Sequence, residues 1–226
     1  MSSVVVIYGY MKNNIKNMGC PKIDEGDFYQ VINHAISKER HAAYLKDVIV
    51  QYEKYKSAMS DAFLQDDIPF SAIFKFRIEY LLKKPVWREI EIFGSQTLEN
   101  FAETIVDSME WLNDHLHAFY LPEKRGKNIF GYNFSPYSIN SQYLEDDPYP
   151  TYKTNQVCVA NIDYVKHPKL GFVFDFGDGH VFHVVYRGMR AAGRRDHTRY
   201  FPKLIDQRGV APEQYPDYEG EPETIA

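Results

Sequence analysis

"GFVFDFGDGHVFHVVYR", residues 171–187, places two strand-like runs around a glycine-flanked aspartate. Alternation puts Phe172, Phe174 and Phe176 on one face of the first run, and Val173 and Asp175 on the other. On the second run Phe182, Val184 and Tyr186 share a face, opposite Val181, His183 and Val185. A three-residue loop, Gly177–Asp178–Gly179, pairs Phe176 with His180, Phe174 with Phe182 and Phe172 with Val184, which brings both apolar rows to one side. A two-residue loop at Asp178–Gly179 sets Phe174 opposite His183 and mixes the faces. A one-residue slip inverts every side chain, so the pattern selects the three-residue loop. That register sets Asp175 diagonal to His183 on the second face. As chemistry, a carboxylate that orients an imidazole is half of many acid–base and metal sites. As structure, Asp178 and the glycines make the turn, and Asp175–His183 is a polar cross-strand pair. The structural reading is the simpler one.

Working outward, "AIFKFRIEYL" (72–81) and "VWREIEIF" (86–93) alternate on either side of "KKP" and predict a second hairpin. Thr97 then caps a helix with Leu98, Phe101, Ala102, Ile105, Met109 and Leu112 on one face. "DHLHAFYL" and "NIFGYNFS" predict two more strands, and the Pro-, Asn- and Tyr-bearing stretch 135–156 a long loop. Upstream, Asp27 is placed to cap a helix striped by Phe28, Val31, Ile32, Ala35 and Ile36. A longer helix carries Leu45, Val48, Ile49, Tyr52, Tyr55, Met59 and Phe63 until "QDDIP" breaks it. Val4–Tyr8 is strand-like. The chain thus divides into a mostly helical appendage, 1–66, and an α+β domain, 67–226, with an acidic tail. The expected core is a mixed or mainly antiparallel sheet with a helix on one face, in the chain order of a β-grasp sheet. The appendage's stripes pack on that domain or, in a homodimer through the N-terminal helices, on a second copy; packing within the chain is the plainer reading.

Composition narrows the function classes. The apolar fraction of 44% supports a full core, and 18 tyrosines with 15 phenylalanines favour sheets packed on helices or an adhesive surface. A formal charge of −5 excludes a uniformly basic coat, though not a local basic patch. Cys20 and Cys158 are read as reduced thiols. The N-terminal apolar run is shorter than a signal core of about 7–15 residues, and nothing approaches the ~20 apolar residues of a membrane span. A cytoplasmic protein without a membrane partner is expected.

Neither a nucleophile elbow nor a phosphate loop is present, and no cofactor is expected. His115 and His117 of "HLH", on one face of a strand with Asp114, could join His180 or His183, but zinc needs three or four ligands and this spacing is a weak signal. The candidate polar site is therefore Asp114, His115, His117, Asp175, Asp178, His180 and His183, with no metal assigned. "RGMRAAGRRDHTR" gathers Arg187, Arg190, Arg194, Arg195 and Arg199 as a candidate nucleic-acid contact, or as a solvated loop neutralised by the acidic tail. Trp87 and Trp111 are assigned to the core.

Taken together, "PVWREIEI", "TLENFAETIVDSMEWLNDHLHAFY", "GFVFDFGDGHVFHV" and "APEQYPDY" resemble the plasmid pRiA4b ORF-3-like family, over about residues 70–216. The resemblance lies in Trp87–Arg88, Trp111, Asp114–Phe119 and Asp175–Asp178. It implies an α+β fold and a link to mobile DNA, family members being labelled passenger (TnpR-type) proteins of insertion elements. It implies no reaction. Gly179–His180 stands where the family has an aromatic position, and the family's late cysteine and paired glycines are missing. The expected function is a non-enzymatic binding or accessory module with a protein or nucleic-acid partner, drawing also on a loop bearing Tyr132, Tyr137, Tyr143 and Tyr149. The alternative is a metal-assisted hydrolase built on the Asp/His segments.

Overall fold

The computed structural model describes residues 19–39, 41–81, 85–129, 132–145 and 147–215. The strand-like Val4–Tyr8 and the end of the acidic tail lie outside the described residues. Two helices, α1 (Phe28–Ser37) and α2 (Ala42–Ala62), precede the hairpin β1 (Ala72–Tyr80) and β2 (Val86–Phe93). Helix α3 (Leu98–Ser108) follows, then β3 (His117–Ile129), β4 (Tyr132–Asn140), β5 (Lys169–Phe174), β6 (His180–Ala191) and β7 (Lys203–Arg208). The strands form one seven-stranded sheet in the order β4-β3-β5-β6-β1-β2-β7. Every pairing is antiparallel. The order hairpin, helix, further strands is as expected; the second neighbour of β1 is β6, and it too runs antiparallel.

Period-2 alternation divides the sheet into two faces. Phe74, Phe76 and Ile78 of β1, Ile90 and Ile92 of β2, Leu170, Phe172 and Phe174 of β5 and Phe182 and Val184 of β6 are buried against the helices in one apolar cluster. Helix α3 contributes Leu98, Phe101, Ala102, Ile105 and Val106 to it. Its start is a capping box: Thr97 accepts from Asn100 N–H at 3.2 Å, and Asn100 Oδ1 accepts from Thr97 N–H at 3.3 Å. The helix ends at Ser108, so Leu112 leaves the predicted stripe and is 67% exposed.

The opposite face carries charge. Glu89 lies between Lys75 (2.5 Å) and Arg77 (2.7 Å), and Glu91 between Arg190 (3.1 Å) and Lys203 (3.2 Å). Trp87 belongs here, half-buried under the Arg77 guanidinium at 4.4 Å, and its assignment to the core is corrected. An odd position on β2 faces outward whatever its side chain. Arg88, the neighbouring even position, is the buried one: it donates to the carbonyls of Ser108, Trp87, Arg208 and Gly209.

The N-terminal helices use their stripe within the chain. Tyr52, Tyr55, Met59 and Ala62 of α2 are fully buried in the same cluster as the sheet residues. Tyr55 Oη donates to Ser138 O (3.1 Å) and accepts from Tyr152 N–H (2.8 Å). Its ring meets Tyr149 at 5.5 Å and Tyr137 at 6.0 Å. These loop tyrosines are therefore helix contacts, while Tyr143 remains 70% exposed. Asp27 precedes α1 without making a side-chain cap. The predicted loop 135–156 is also corrected, because β4 runs to Asn140. Pro136 is tolerated there since β4 is an edge strand.

Tyr55→Phe removes one hydroxyl and leaves the part-buried Tyr152 N–H and Ser138 carbonyl without that partner. The expected loss is about 1–3 kcal/mol, read as a lower urea midpoint at an unchanged m-value.

Candidate functional site

The opening hairpin forms, in a register two residues from the predicted one. Phe172 pairs with Phe182, Phe174 with His180 and Gly171 with His183. An even slip keeps both faces, so Phe172 and Phe174 stay buried and the fold is unaffected, while Phe176, now in the turn, is corrected to the other face, where it packs against Val173 and Val181. The change falls on the loop, which now runs from Asp175 to Gly179. Asp175 leaves the strand at φ 55 and makes the turn. Its Oδ1 accepts from the N–H groups of Gly177 (2.9 Å) and Asp178 (3.3 Å), and its carbonyl accepts from Gly179 N–H at 2.7 Å. The Asp175–His183 diagonal is thus corrected. His183 stands on the outer face opposite Gly171 and Glu79, where burial and then Lys169 push its pKa down to about 4.

His180 is buried beneath a strap formed by residues 211–215. Its Nε2 lies 3.1 Å from Gln214 O, and its Nδ1 2.8 Å from Tyr80 Oη. A carbonyl can only accept, so Nε2 carries the proton and Nδ1 accepts from the tyrosine. Burial holds the imidazole below its ordinary pKa, in accord with this neutral form. The indole of Trp111 covers His180 at 4.3 Å and donates Nε1–H to Pro212 O at 2.8 Å. Gln214 completes the strap: Oε1 accepts from Leu112 N–H (2.7 Å), while Nε2 donates to Leu112 O (2.9 Å) and Asp114 Oδ1 (3.1 Å). Tyr215 Oη also donates to Asp114 Oδ1, at 2.8 Å, and this bond is the leading cause holding that carboxyl below its usual range.

The remaining histidines separate. His115 lies ahead of β3, with Nε2 3.4 Å from Asp175 Oδ2 and 4.0 Å from Asp114 Oδ1. His117 opens β3 and is buried, its Nε2 3.3 Å from Thr154 Oγ1 and 3.4 Å from Glu99 Oε2. The two do not share a strand face, because the strand begins only at His117. The Thr154 hydroxyl donates to Glu99, and the bond from His117 is the first cause holding Glu99 below the usual carboxylate range. This trio ties the loop at Thr154 to the first turn of α3.

The structure therefore brings together Asp114, His115 and Asp175, with Asp178 beside them on the turn and His180 beneath the strap. It sets His117 in a separate network and His183 on the far face. Among the described residues no group of three or more His, Cys, Asp or Glu side chains is arranged to hold a metal. Glu99, Asp114, His115, His117, Ser141 and Tyr143 border an open cleft of about 320 Å³. Gln214, Thr154 and Glu99 have no signal in the sequence, since each meets its site partners across a long stretch of chain, such as the 37 residues between Thr154 and His117.

The arginines lie elsewhere, where β6 leads into β7. Arg190 is neutralised by Asp196 (2.6 Å) and Glu91 (3.1 Å), and Asp196 also accepts from Gly193 N–H at 2.9 Å. The β6–β7 connection is pinned at its base, and Arg187, Arg194, Arg195 and Arg199 are exposed around it. Arg199 stacks on Tyr200 at 4.7 Å.

Gln214→Ala removes the strap's side-chain hydrogen bonds and leaves the part-buried N–H and carbonyl of Leu112 without that partner. The expected cost is about 1–3 kcal/mol, with faster amide exchange at residues 111–115. His183 and His180 both have lowered folded pKa values, so their contribution to stability is complete above the unfolded value of about 6.5. It is lost as the pH falls, for His183 down to about 4. Replacing His183 with Gln should flatten the stability profile across that window, as measured by urea titration at stepped pH.

Residues 72–223 match the model of the family described as "Plasmid pRiA4b ORF-3-like protein", which is more than half of the chain. No curated protein matches. Among solved structures, a protein of unknown function, MM3350 from Methanosarcina mazei Go1, is 17% identical with a TM-score of 0.51, over 63% of this chain and 73% of that one. At that identity the likeness is one of fold.

Proposed function

Because the chain belongs to the plasmid pRiA4b ORF-3-like family, we propose that it is a non-enzymatic binding module, an accessory of mobile DNA elements whose partner is nucleic acid. The observation that carries this reading is the pinned β6–β7 connection. Asp196 and Glu91 consume Arg190, and Arg187, Arg194, Arg195 and Arg199 surround it in solvent. Four guanidinium groups on one short stretch form a local positive field on a chain whose formal charge is −5. Such a patch displaces counterions from phosphates, a gain that depends steeply on salt. Charge of this kind positions a polyanion without reading its bases.

The signature aspartates and histidines support the same reading by what they are engaged in. Asp175 makes the turn, His180 and Asp114 hold the strap, and His117 anchors the start of α3. A metal-assisted hydrolase needs three or four donors that converge on one ion, and among the described residues no such group is arranged, although Asp114, His115 and Asp175 lie near one another.

Binding of a labelled oligonucleotide followed from low to moderate salt tests this. The expected log–log slope is about −3, from up to four phosphate contacts at ~0.7–0.9 each, and the double variant Arg194→Ala/Arg195→Ala should flatten it by about 1.5. Salt-independent binding, or none at low salt, overturns the reading.

A further inference from the structure

Beside the arginine loop, where β1 begins and β6 ends, an open groove of about 390 Å³ is lined by Ser71, Ala72, Met189, Arg190, Ala191 and Ala192. Ala72 and Ala191 are paired across the strands at its floor. Most of the lining is methyl and thioether surface, and Met189 is 55% exposed. Its one ionic group, the Arg190 guanidinium, is already balanced by Glu91 and Asp196. A groove of this kind has little attraction for a phosphate. It suits a flat, uncharged body with apolar faces, which a polarisable methionine accommodates readily. Two and three residues beyond Ala192 stand Arg194 and Arg195, so an uncharged hollow and a phosphate-binding cation pair lie along one continuous stretch.

We infer that groove and loop together form a site for single-stranded nucleic acid, with the arginines on the phosphates and an unstacked base in the groove. This rests on the nucleic-acid reading above and adds to it the strand state of the ligand. A duplex keeps its bases stacked and paired and offers only phosphates and groove edges. A single strand can turn a base outward onto apolar or guanidinium surface. Tyr200, 56% exposed and stacked by Arg199, offers a further aromatic face on the same β6–β7 connection.

Three probes of about equal phosphate content separate the possibilities by fluorescence anisotropy on the full chain: an oligothymidylate, the corresponding abasic strand, and a duplex. Base contact of this kind is worth about tenfold or more in affinity. The oligothymidylate is therefore expected to bind at least about tenfold tighter than the abasic strand, and tighter than the duplex. Met189→Ala, at an exposed position that the fold does not need, should weaken the oligothymidylate several-fold and leave the abasic strand unchanged. If the abasic strand or the duplex binds as tightly as the oligothymidylate, and Arg194→Ala/Arg195→Ala weakens all of them, the base site is overturned while phosphate binding stands. If none of the three binds at low salt, the nucleic-acid reading falls with it.

Discussion

Phe172, Phe174 and Phe182 lie fully buried on the helix-facing side of the sheet, and the rest of the molecule depends on that row staying there. Side chains alternate between faces, so a row of buried phenylalanine on β5 and β6 dictates which groups their neighbours present outward. The ring of Phe172 meets Phe119 of β3 at 4.8 Å and Phe182 at 5.7 Å, which extends the row across three strands. Exposing such rings would cost about 1.5–3 kcal/mol each, more than the ~0.5–1.5 kcal/mol that a typical polar contact in the turn returns. The turn accordingly adapts to the sheet, and Asp175 takes up a left-handed conformation to close it.

The same hierarchy explains what could be read from residue order. Facing was legible for most of the sheet: the alternation of 72–81 and 86–93, the α3 stripe as far as Met109 with its Thr97 cap, and the buried pair Phe172 and Phe174 occur as read, while Leu112 and Phe176 leave their predicted rows. Register was legible only to the nearest even step. Shifts of two residues leave every facing intact, and the choice between them is made by contacts of Asp175 with Leu116 and of Phe174 with Trp111, both distant in sequence. Trp87 illustrates a different failure. Tryptophan's tendency to be buried gives way there to the parity of its position, because Val86 and Arg88 on either side are already turned to the buried face.

Of the candidate polar residues, types were legible and partners were not. Nothing near Asp114 or His180 in the chain announces Gln214, roughly a hundred residues from one and 34 from the other. The strap also gives the family-like residues a physical reason for being together. Trp111 needs an acceptor for its indole N–H, and Pro212 O provides it. His180 needs an acceptor for Nε2–H, and Gln214 O provides that. Two buried polar groups that would each be costly alone are satisfied by one short peptide segment. Where family likeness in a motif has this origin, it marks a joint in the fold, and functional surface has to be sought in residues that the fold leaves free.

The arginine loop meets that criterion through its asymmetry. Arg190 has carboxylates on two sides, and its neighbour Lys203 shares Glu91 with it, so acid and base are matched along the outer face of β1, β2 and β7. Beyond Gly193 the matching stops. Asp196, the one acid within the turn, spends its carboxylate on Arg190 and on the Gly193 N–H. Packing alone does not account for Arg194 and Arg195, which are exposed and have no described ion-pair partner. The unspent positive charge sits on a connection that Asp196 ties to Arg190 and to the Gly193 N–H, so the binding proposed for it would cost little in ordering the loop.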